Sequence, residues 1–113
     1  MQLSFDPGSG TTISEVALTD TQALALMRSN AARLLDAGVT TTRDLGAPGT
    51  LAAQIKTEVA AGTTPGPNLQ VANAPITVRK GHAFRLGGEA EGVESVRAAV
   101  RERKPAVRTW SKL

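Results

Sequence analysis

The stretch NAARLLDAGVTTTRDLG, residues 30–46, decides the fold class of this chain of 113 residues. Its first half carries apolar side chains at helical spacing and ends at Gly38, a residue type that readily takes the left-handed conformation after a helix. Its second half, residues 39–45, is short and β-branched, which is typical of a strand. We therefore expect a helix followed at once by a strand, the repeating step of an α/β protein.

Helix boundaries can be predicted on both sides of this stretch. Residues 1–18 read as an irregular N-terminal loop, and Thr19 and Gln22 then have the spacing of a capping box. A second helix is expected to begin with Thr50 as its cap and to end at Gly62, because two prolines follow within five residues.

The rest of the chain repeats the alternation of strand and helix. The predicted elements are a strand over residues 68–74 (NLQVANA), a polar loop over 79–88, a helix over 89–104 and a strand over 106–113. Pro105 is expected to stop that helix. Its apolar positions are expected to face inward: Val93, Val96 and Val100.

Three strands alternating with three helices indicate a single α/β unit with a parallel sheet over residues 1–113. A sheet of three strands would leave both edges open, so we expect a part of something larger or a sheet that associates. Hydrophobic residues make up 41% and charged residues 20%, as in an ordinary globular protein. The core must be aliphatic, because the aromatic residues are few: Phe5, Phe84 and Trp110.

Composition excludes several classes of function. The chain has no cysteine, which rules out a disulfide framework, a zinc–thiolate site and a thiol nucleophile. The net charge is +3, but three scattered aromatics cannot form a stacking platform, so we expect no nucleic-acid partner. No apolar run approaches the ~20 residues of a membrane span, and we predict a cytoplasmic, bacterial protein without a membrane partner. The terminal letters SKL match a peroxisomal import address, which we interpret as coincidence.

The stretch over residues 30–46 resembles the amidohydrolase superfamily, in its imidazolonepropionase-like and prolidase-like branch. Residues 62–75 (GTTPGPNLQVANAP) and the pair Gly81-His82 resemble the continuation of that pattern, so the similarity covers nearly the whole chain. The fold of that family is a (β/α)8 TIM barrel of typically ~250 residues. The resemblance implies that this chain is a partial barrel, from just after the first barrel strand to the third.

The resemblance also implies a chemistry. Members of the family hydrolyse C–N bonds in small amides, cyclic amides or dipeptides, using water activated by one or two divalent metal ions, zinc being the expected one. Their ligands include a His-x-His pair, a bridging lysine, two further histidines and an aspartate. The pattern aligns Gln2 with the second histidine of the pair and Leu3 with the leucine after it, so neither paired histidine is in this chain.

Three residues of this chain match positions around that site. Lys112 falls on the bridging lysine, a metal ligand, although a lysine so near a terminus is commonly a solvated one. His82 falls on a histidine at the mouth of the active site, where it would contact substrate, and its alternative is a surface histidine. Asp44 ends a predicted strand on the side where barrel active sites form, and could bind substrate, join a local ion pair or cap a helix.

We therefore expect a fragment of a metal-dependent amidohydrolase that by itself binds no metal and is inactive. The small amide or peptide substrate and the divalent metal belong to the full enzyme. The alternative is a non-catalytic small α/β protein or gene remnant, which forms a homo-oligomer or completes its sheet with a partner. A third alternative is a basic module that binds acidic partners.

Overall fold

A computed structural model of the chain describes residues 3–8, 10–12 and 18–107. Its elements, in chain order, are β1 (Phe5–Asp6), β2 (Thr11–Thr12), α1 (Asp20–Asp36), β3 (Thr41–Asp44), α2 (Leu51–Ala61), β4 (Asn68–Val71), a 3-10 helix (Phe84–Leu86) and α3 (Val93–Val107). None of the helices in these residues is long and apolar enough to cross a membrane.

The central unit of the fold is a strand, a helix and a second, parallel strand. β3 and β4 pair in parallel register, with Thr41 opposite Asn68 and Asp44 opposite Val71, and α2 connects them. An isolated parallel bridge between Thr77 and Glu89 extends this part of the molecule. The prediction of a mixed α/β fold with three helices and a small parallel sheet is confirmed.

The N-terminal segment differs from the sequence prediction. Residues 1–18 were expected to be irregular, whereas β1 and β2 form a short antiparallel hairpin in which Phe5 pairs with Thr12. Two-residue strands carry too few residues for an alternating pattern to show in the sequence, so this hairpin left no signal.

The boundaries of α1 follow the predicted capping chemistry. Thr19 and Gln22 form a reciprocal capping box, in which the Gln22 amide donates to the Thr19 hydroxyl at 3.2 Å and the Thr19 amide donates to the Gln22 side chain at 3.0 Å. At the other end, Gly38 has a φ of 90° and the Val39 amide donates to the Leu34 carbonyl. α2 likewise ends at Gly62, in the left-handed conformation, as predicted.

The core lies between α1, α2 and the two parallel strands. It is aliphatic, as the composition predicts, and its buried residues are Leu3, Ala23, Met27, Ala31, Ala47, Ala52, Ile55, Leu69 and Val71. Ala23, Met27 and Ala31 recur at four-residue spacing and form the buried face of α1. An ion pair between Arg28 and Glu58 joins α1 to α2 beside this core.

The third helix differs from the prediction at both ends. It begins at Val93 instead of residue 89, because Glu89 pairs with Thr77 and the Ala90 amide donates to the Thr77 carbonyl. It continues to Val107, two residues past the proline that was expected to stop it. Pro105 lies so near the end of the helix that its missing N–H interrupts no full turn after it. The predicted strand over residues 106–113 is therefore wrong at its first two residues, and its last six lie outside the described residues.

The orientation predicted for the third helix is also wrong. Val93, Val96 and Val100 are 66%, 38% and 52% exposed instead of inward-facing. Their spacing does identify one apolar face of α3, but a sheet with two strands offers no surface broad enough to cover it. This face of α3 is left open to solvent in the single chain.

Candidate functional site

The carboxyl ends of β3 and β4 lie at the same edge of the sheet, because the strands are parallel. Backbone hydrogen bonds hold three loops together at this edge. The Ala47 amide donates to the Asn73 carbonyl at 3.2 Å, and the Ala74 amide donates to the Gly49 carbonyl at 3.2 Å. The Gly49 amide in turn donates to the carbonyl of Leu86 in the 3-10 helix at 3.3 Å. The edge is therefore a connected unit.

A cleft of about 400 Å³ opens among these loops and the start of α2. We refer to it as the carboxyl-edge cleft, and its lining residues are Gly49, Thr50, Asn73, Ala74, Leu86, Gly87, Gly88, Glu89, Glu102 and Arg103. Its position matches the general rule that ligands of parallel α/β proteins bind outside the carboxyl ends of the strands.

Asn73 is the most buried polar residue of the carboxyl-edge cleft, with 2% of its surface exposed. Its backbone is left-handed, with a φ of 59°, a conformation that asparagine adopts more readily than most residues. Its Oδ1 accepts a hydrogen bond of 3.0 Å from the Ala53 amide in the first turn of α2. Its Nδ2 is buried and has no hydrogen-bond partner among the described residues.

This contact corrects the predicted cap of the second helix. Thr50 occupies the N-cap position of α2, but its side chain makes no capping hydrogen bond. Asn73 supplies the capping oxygen instead, from a position twenty residues away in the chain. A local sequence pattern cannot reveal a cap that reaches the helix through the tertiary fold, so sequence reasoning missed Asn73.

Arg103 and Gly88 shape the opposite wall of the cleft. Arg103 donates from Nε to the Ala74 carbonyl at 2.7 Å and from Nη1 to the Ala99 carbonyl at 2.9 Å. Gly88 has a φ of 85°, and a Cβ atom there would overlap the Pro75 carbonyl oxygen and the Arg103 guanidinium. The close approach of α3 to the cleft therefore depends on a glycine at this position.

Two exposed glutamates line the same cleft. The Glu89 carboxylate accepts a hydrogen bond of 3.2 Å from the Lys80 backbone amide. Neither Glu89 nor Glu102 forms an ion pair with a residue in the described part of the chain. The cleft thus combines a buried amide donor and a guanidinium with two exposed carboxylates.

Asp44 ends β3 on the expected side of the sheet and is completely buried. Its Oδ2 accepts a 2.7 Å hydrogen bond from the Leu3 amide, and its Oδ1 accepts a 3.0 Å hydrogen bond from the Gly46 amide. Burial raises the pKa of the Asp44 carboxyl, and these two hydrogen bonds oppose the shift. Both oxygens of the carboxylate therefore already serve the backbone of this chain.

Asp44 makes the contacts of a brace and not of a local ion pair. The neighbouring Arg43 donates to the Gln70 side chain at 3.2 Å, across the strand pair, and no ion pair between Arg43 and Asp44 is among the described contacts. The bond to Gly46 braces the loop that leads to α2. Asp44 thus acts here as a brace for two backbone segments.

The N-terminal segment is held at this end of β3 by further polar contacts. Asn30 in α1 donates from Nδ2 to the carbonyls of Leu3 and Phe5, both at 2.7 Å. The Ser4 hydroxyl donates to the Gly46 carbonyl at 3.3 Å, and both Leu3 and Ser4 are fully buried. No local sequence signal marks Asn30 for this task, because its partners lie more than twenty residues away.

Of the three site residues expected from the sequence, the described structure contains two, Asp44 and His82, and no contact between them is among the described contacts. His82 is exposed in the loop before the 3-10 helix, and its side chain has no hydrogen bond to a described residue. Lys112 lies outside the described residues. Within the described ranges, no three histidine, aspartate or glutamate side chains converge as a metal site would require. Among the described residues, Asp44 has both oxygens occupied by backbone amides and His82 stands without a second ligand type beside it, so the described part of the chain does not fit the metal centre implied by the resemblance.

Compared with known protein families, with curated proteins and with solved structures, the chain shows no match. The amidohydrolase resemblance therefore rests on the quoted residues alone.

Proposed function

We propose that this chain is the early β/α portion of an amidohydrolase-like hydrolase, a class that cleaves C–N bonds in small amides, cyclic amides or dipeptides. In this proposal β3 and β4 are the second and third strands of a barrel, and the carboxyl edge of the sheet faces the reaction site. The proposal gives Asp44 and His82 positions at that edge and Lys112 a position on a later strand.

The observation that carries this proposal is the hydrogen bond from the Leu3 amide to Asp44. The resemblance aligns Leu3 with the leucine that follows the paired histidines, at the end of the first barrel strand. Successive strands of a barrel lie side by side, so that leucine should adjoin the carboxyl end of the second strand. The bond of 2.7 Å from the Leu3 amide to Asp44 supports the proposal, because it holds Leu3 beside the carboxyl end of β3.

The described residues contribute scaffold and not hydrolysis under this proposal. Asp44 and Asn30 bind the backbone of Leu3, and Ser4 binds the Gly46 carbonyl, so that this segment is held beside β3. Divalent metal would supply an activated water in a complete barrel. Because the described residues do not fit a metal centre, we assign no catalytic step to them, and we propose that the 113 residues are inactive as a hydrolase.

The coding sequence on either side of this chain tests the proposal directly. We expect a His-x-His strand in frame upstream of Leu3, or the remaining β/α units downstream, whether or not a stop codon or frameshift interrupts them. Flanks that encode neither would overturn the proposal. As a second readout, the purified chain with added zinc should not hydrolyse amides or dipeptides, and metal-dependent turnover would contradict the predicted inactivity.

A second candidate function is favoured by the exposed apolar face of α3. We propose, as the alternative to the hydrolase fragment, a non-catalytic module in which this face packs against a second copy of the chain. Val93, Val96 and Val100 lie on one side of the helix and leave apolar surface in water, which association would bury.

Sedimentation equilibrium over a range of protein concentration tests this alternative. We expect the wild-type chain to form dimers that Val100→Lys disrupts. Ala98→Lys is the matched control, because Ala98 is exposed on the opposite side of α3 and should not disturb them. A wild-type chain that remains monomeric throughout the concentration range would reject the self-associating module.

A further inference from the structure

We propose that the carboxyl-edge cleft binds a small aliphatic zwitterion, with its carboxylate at Asn73 Nδ2 and the start of α2 and its ammonium group beside Glu89 and Glu102. Neither Asp44 nor His82 lines this cleft. The inference does not depend on the hydrolase proposal, because the binding is a property of the chain without metal.

The Asn73 side chain has a hydrogen-bond donor, Nδ2, that no described residue uses. The Ala53 amide donates to one atom of the Asn73 side chain, which identifies that atom as Oδ1 and leaves Nδ2 as the other. Nδ2 is buried, lacks a partner among the described residues, and belongs to a residue that lines the cleft. Buried donors in folded proteins nearly always have an acceptor, from the protein, from water or from a ligand, and the proposal supplies one as a carboxylate oxygen that enters the cleft.

Several groups in the lining of the cleft favour a negatively charged ligand group. α2 spans eleven residues and begins at the cleft, so the partial positive charge of its N-terminus favours a negative group there. The Thr50 side chain lines the cleft without making a capping hydrogen bond. The Arg103 guanidinium lines the same cleft and is held in place by two backbone carbonyls. The helix N-terminus and the guanidinium both favour a negatively charged group in the cleft, and in the proposal that group is a carboxylate.

The charged side chains that line the cleft carry a net negative charge. Glu89 and Glu102 are two carboxylates against the single guanidinium of Arg103, and they form no ion pair with a described residue. A simple anion would therefore enter a cleft whose side chains carry a net negative charge. A molecule with a carboxylate at one end and an ammonium group at the other matches both the inner wall and the two glutamates.

The size and apolar lining of the cleft define the rest of the ligand. A volume of about 400 Å³ is within the range of small-molecule sites, at its lower end. Ala74 and Leu86 are buried and supply apolar surface between the two charged regions. These features suit a short aliphatic side chain, and the expected class is therefore that of small aliphatic α-amino acids.

Three probes that differ by one charged group test the proposal. L-leucine carries both groups, 4-methylpentanoate lacks the ammonium group, and 3-methylbutylamine lacks the carboxylate. In NMR titrations of the metal-free chain, L-leucine should shift the side-chain amide resonances of Asn73 and bind roughly tenfold more tightly than either analogue. Equal affinities for L-leucine and 4-methylpentanoate would overturn the assignment of a zwitterionic ligand. The absence of any resonance shift at Asn73 would overturn the location of the binding site.

Variants separate the role of the amide donor from general effects of charge. Asn73→Asp keeps an oxygen for the Ala53 amide but replaces the donor by a negative charge, and L-leucine binding should be lost. Asn68→Asp makes the same change at an exposed position of β4 and should bind as wild type does. Wild-type affinity in a folded Asn73→Asp chain would contradict the proposal.

Glu102→Gln keeps the test valid if Asn73→Asp fails to fold, because Glu102 is exposed and has no described partner. This variant should weaken L-leucine binding severalfold and leave 4-methylpentanoate binding no weaker. Unchanged L-leucine binding would argue against the ammonium position. The hydrolase proposal is decided separately by the flanking coding sequence, so the two can fail independently.

Discussion

Asp44 is a buried carboxylate between two backbone amides, those of Leu3 and Gly46. Removing a buried charge would usually relieve a desolvation cost, but here each oxygen accepts a hydrogen bond. An asparagine could accept from one of the amides and would turn its own NH2 group toward the other. Replacing Asp44 by asparagine therefore changes stability mainly through the loss of one hydrogen-bond acceptor.

We predict that Asp44→Asn lowers the free energy of unfolding by about 1–3 kcal/mol, the usual cost of leaving a buried polar group unsatisfied. Urea denaturation of the variant and of wild type measures this difference. Asp36→Asn is the matched control, since Asp36 is exposed at the end of α1, and it should unfold with the wild-type midpoint. Equal midpoints for all three chains would show that Asp44 does not brace the N-terminal segment.

Gly88 is required at its position for two physical reasons, its left-handed backbone and the close approach of Pro75 and Arg103. Gly92 shares the first reason, with a φ of 82°, but has no neighbouring atom that a Cβ would meet. Comparing alanine substitutions at Gly88 and Gly92 therefore separates the cost of backbone strain from the cost of steric overlap.

We predict that Gly92→Ala costs about 1–2 kcal/mol of stability through backbone strain. Gly88→Ala should cost at least about 1 kcal/mol more, because the added methyl group overpacks the contact with α3. Thermal unfolding followed by circular dichroism measures both. A Gly88→Ala chain as stable as Gly92→Ala would contradict the close approach of Pro75 and Arg103 to Gly88.

At the scale of elements, α1 and α2 are joined by one polar cluster as well as by the core. Arg28 donates to Glu58 through Nε and Nη2, both at 2.8 Å, and the Thr64 hydroxyl donates to the same carboxylate at 2.8 Å. The hydrogen bonds from Arg28 and then from Thr64 lower the pKa of Glu58 from its ordinary 4.5 to about 2. A lowered pKa means that the folded chain prefers the ionised carboxylate.

The preference for ionised Glu58 makes the stability of the fold depend on pH. Ionised Glu58 stabilises the fold above its ordinary pKa, and this stabilisation is lost as the pH falls from 4.5 toward about 2. We predict that Glu58→Gln is less stable than wild type at neutral pH, and that the difference shrinks steadily over this acid range. Burial of Asp44 acts in the opposite direction, so the informative quantity is the difference between the two chains.

Urea midpoints measured at several pH values give that difference. Glu94→Gln is the control, because Glu94 pairs with Arg97 within α3 and both side chains are mostly exposed. Its difference from wild type should vary little with pH over this range. A stability gap between Glu58→Gln and wild type that stays constant with pH would exclude Glu58 as the titrating link between the helices.

At the scale of the whole molecule, stability is concentrated in one half of the described fold. The core cluster draws on α1, α2 and β4 and on Leu3 and Ala47, and none of the described side chains of α3 belongs to it. α3 is attached at the cleft mainly through Arg103 and exposes its valines. We therefore expect the helices to differ in local stability.

Native-state hydrogen exchange measures this difference at single residues. We predict that amides of α3 exchange roughly tenfold faster or more than those of the buried face of α1, since segments with few buried contacts open locally. Met27 and Ala31 are suitable reference amides in α1. Equal protection in the two helices of a dilute chain would contradict this division of the fold.

How far the sequence predicts the fold can be judged from particular residues. The capping box at Thr19 and the helix ends at Gly38 and Gly62 were predictable, because each depends on neighbours within four residues. The inward orientation expected for the α3 valines failed, because a periodic apolar face does not say whether a partner surface exists to cover it. The helix end predicted at Pro105 was also wrong, because α3 runs two residues past the proline.

The sequence by itself determined the α/β class, the parallel β3–α2–β4 unit and the ends of the first two helices, all through local spacing and backbone preference. The tertiary structure alone decided how the polar side chains are used. Asn73 caps a helix twenty residues away, Asp44 serves the Leu3 and Gly46 amides, and Arg103 closes the cleft from the third helix. These partners are distant in sequence, and a side chain chooses among distant partners only when the folded backbone has brought them within hydrogen-bond distance.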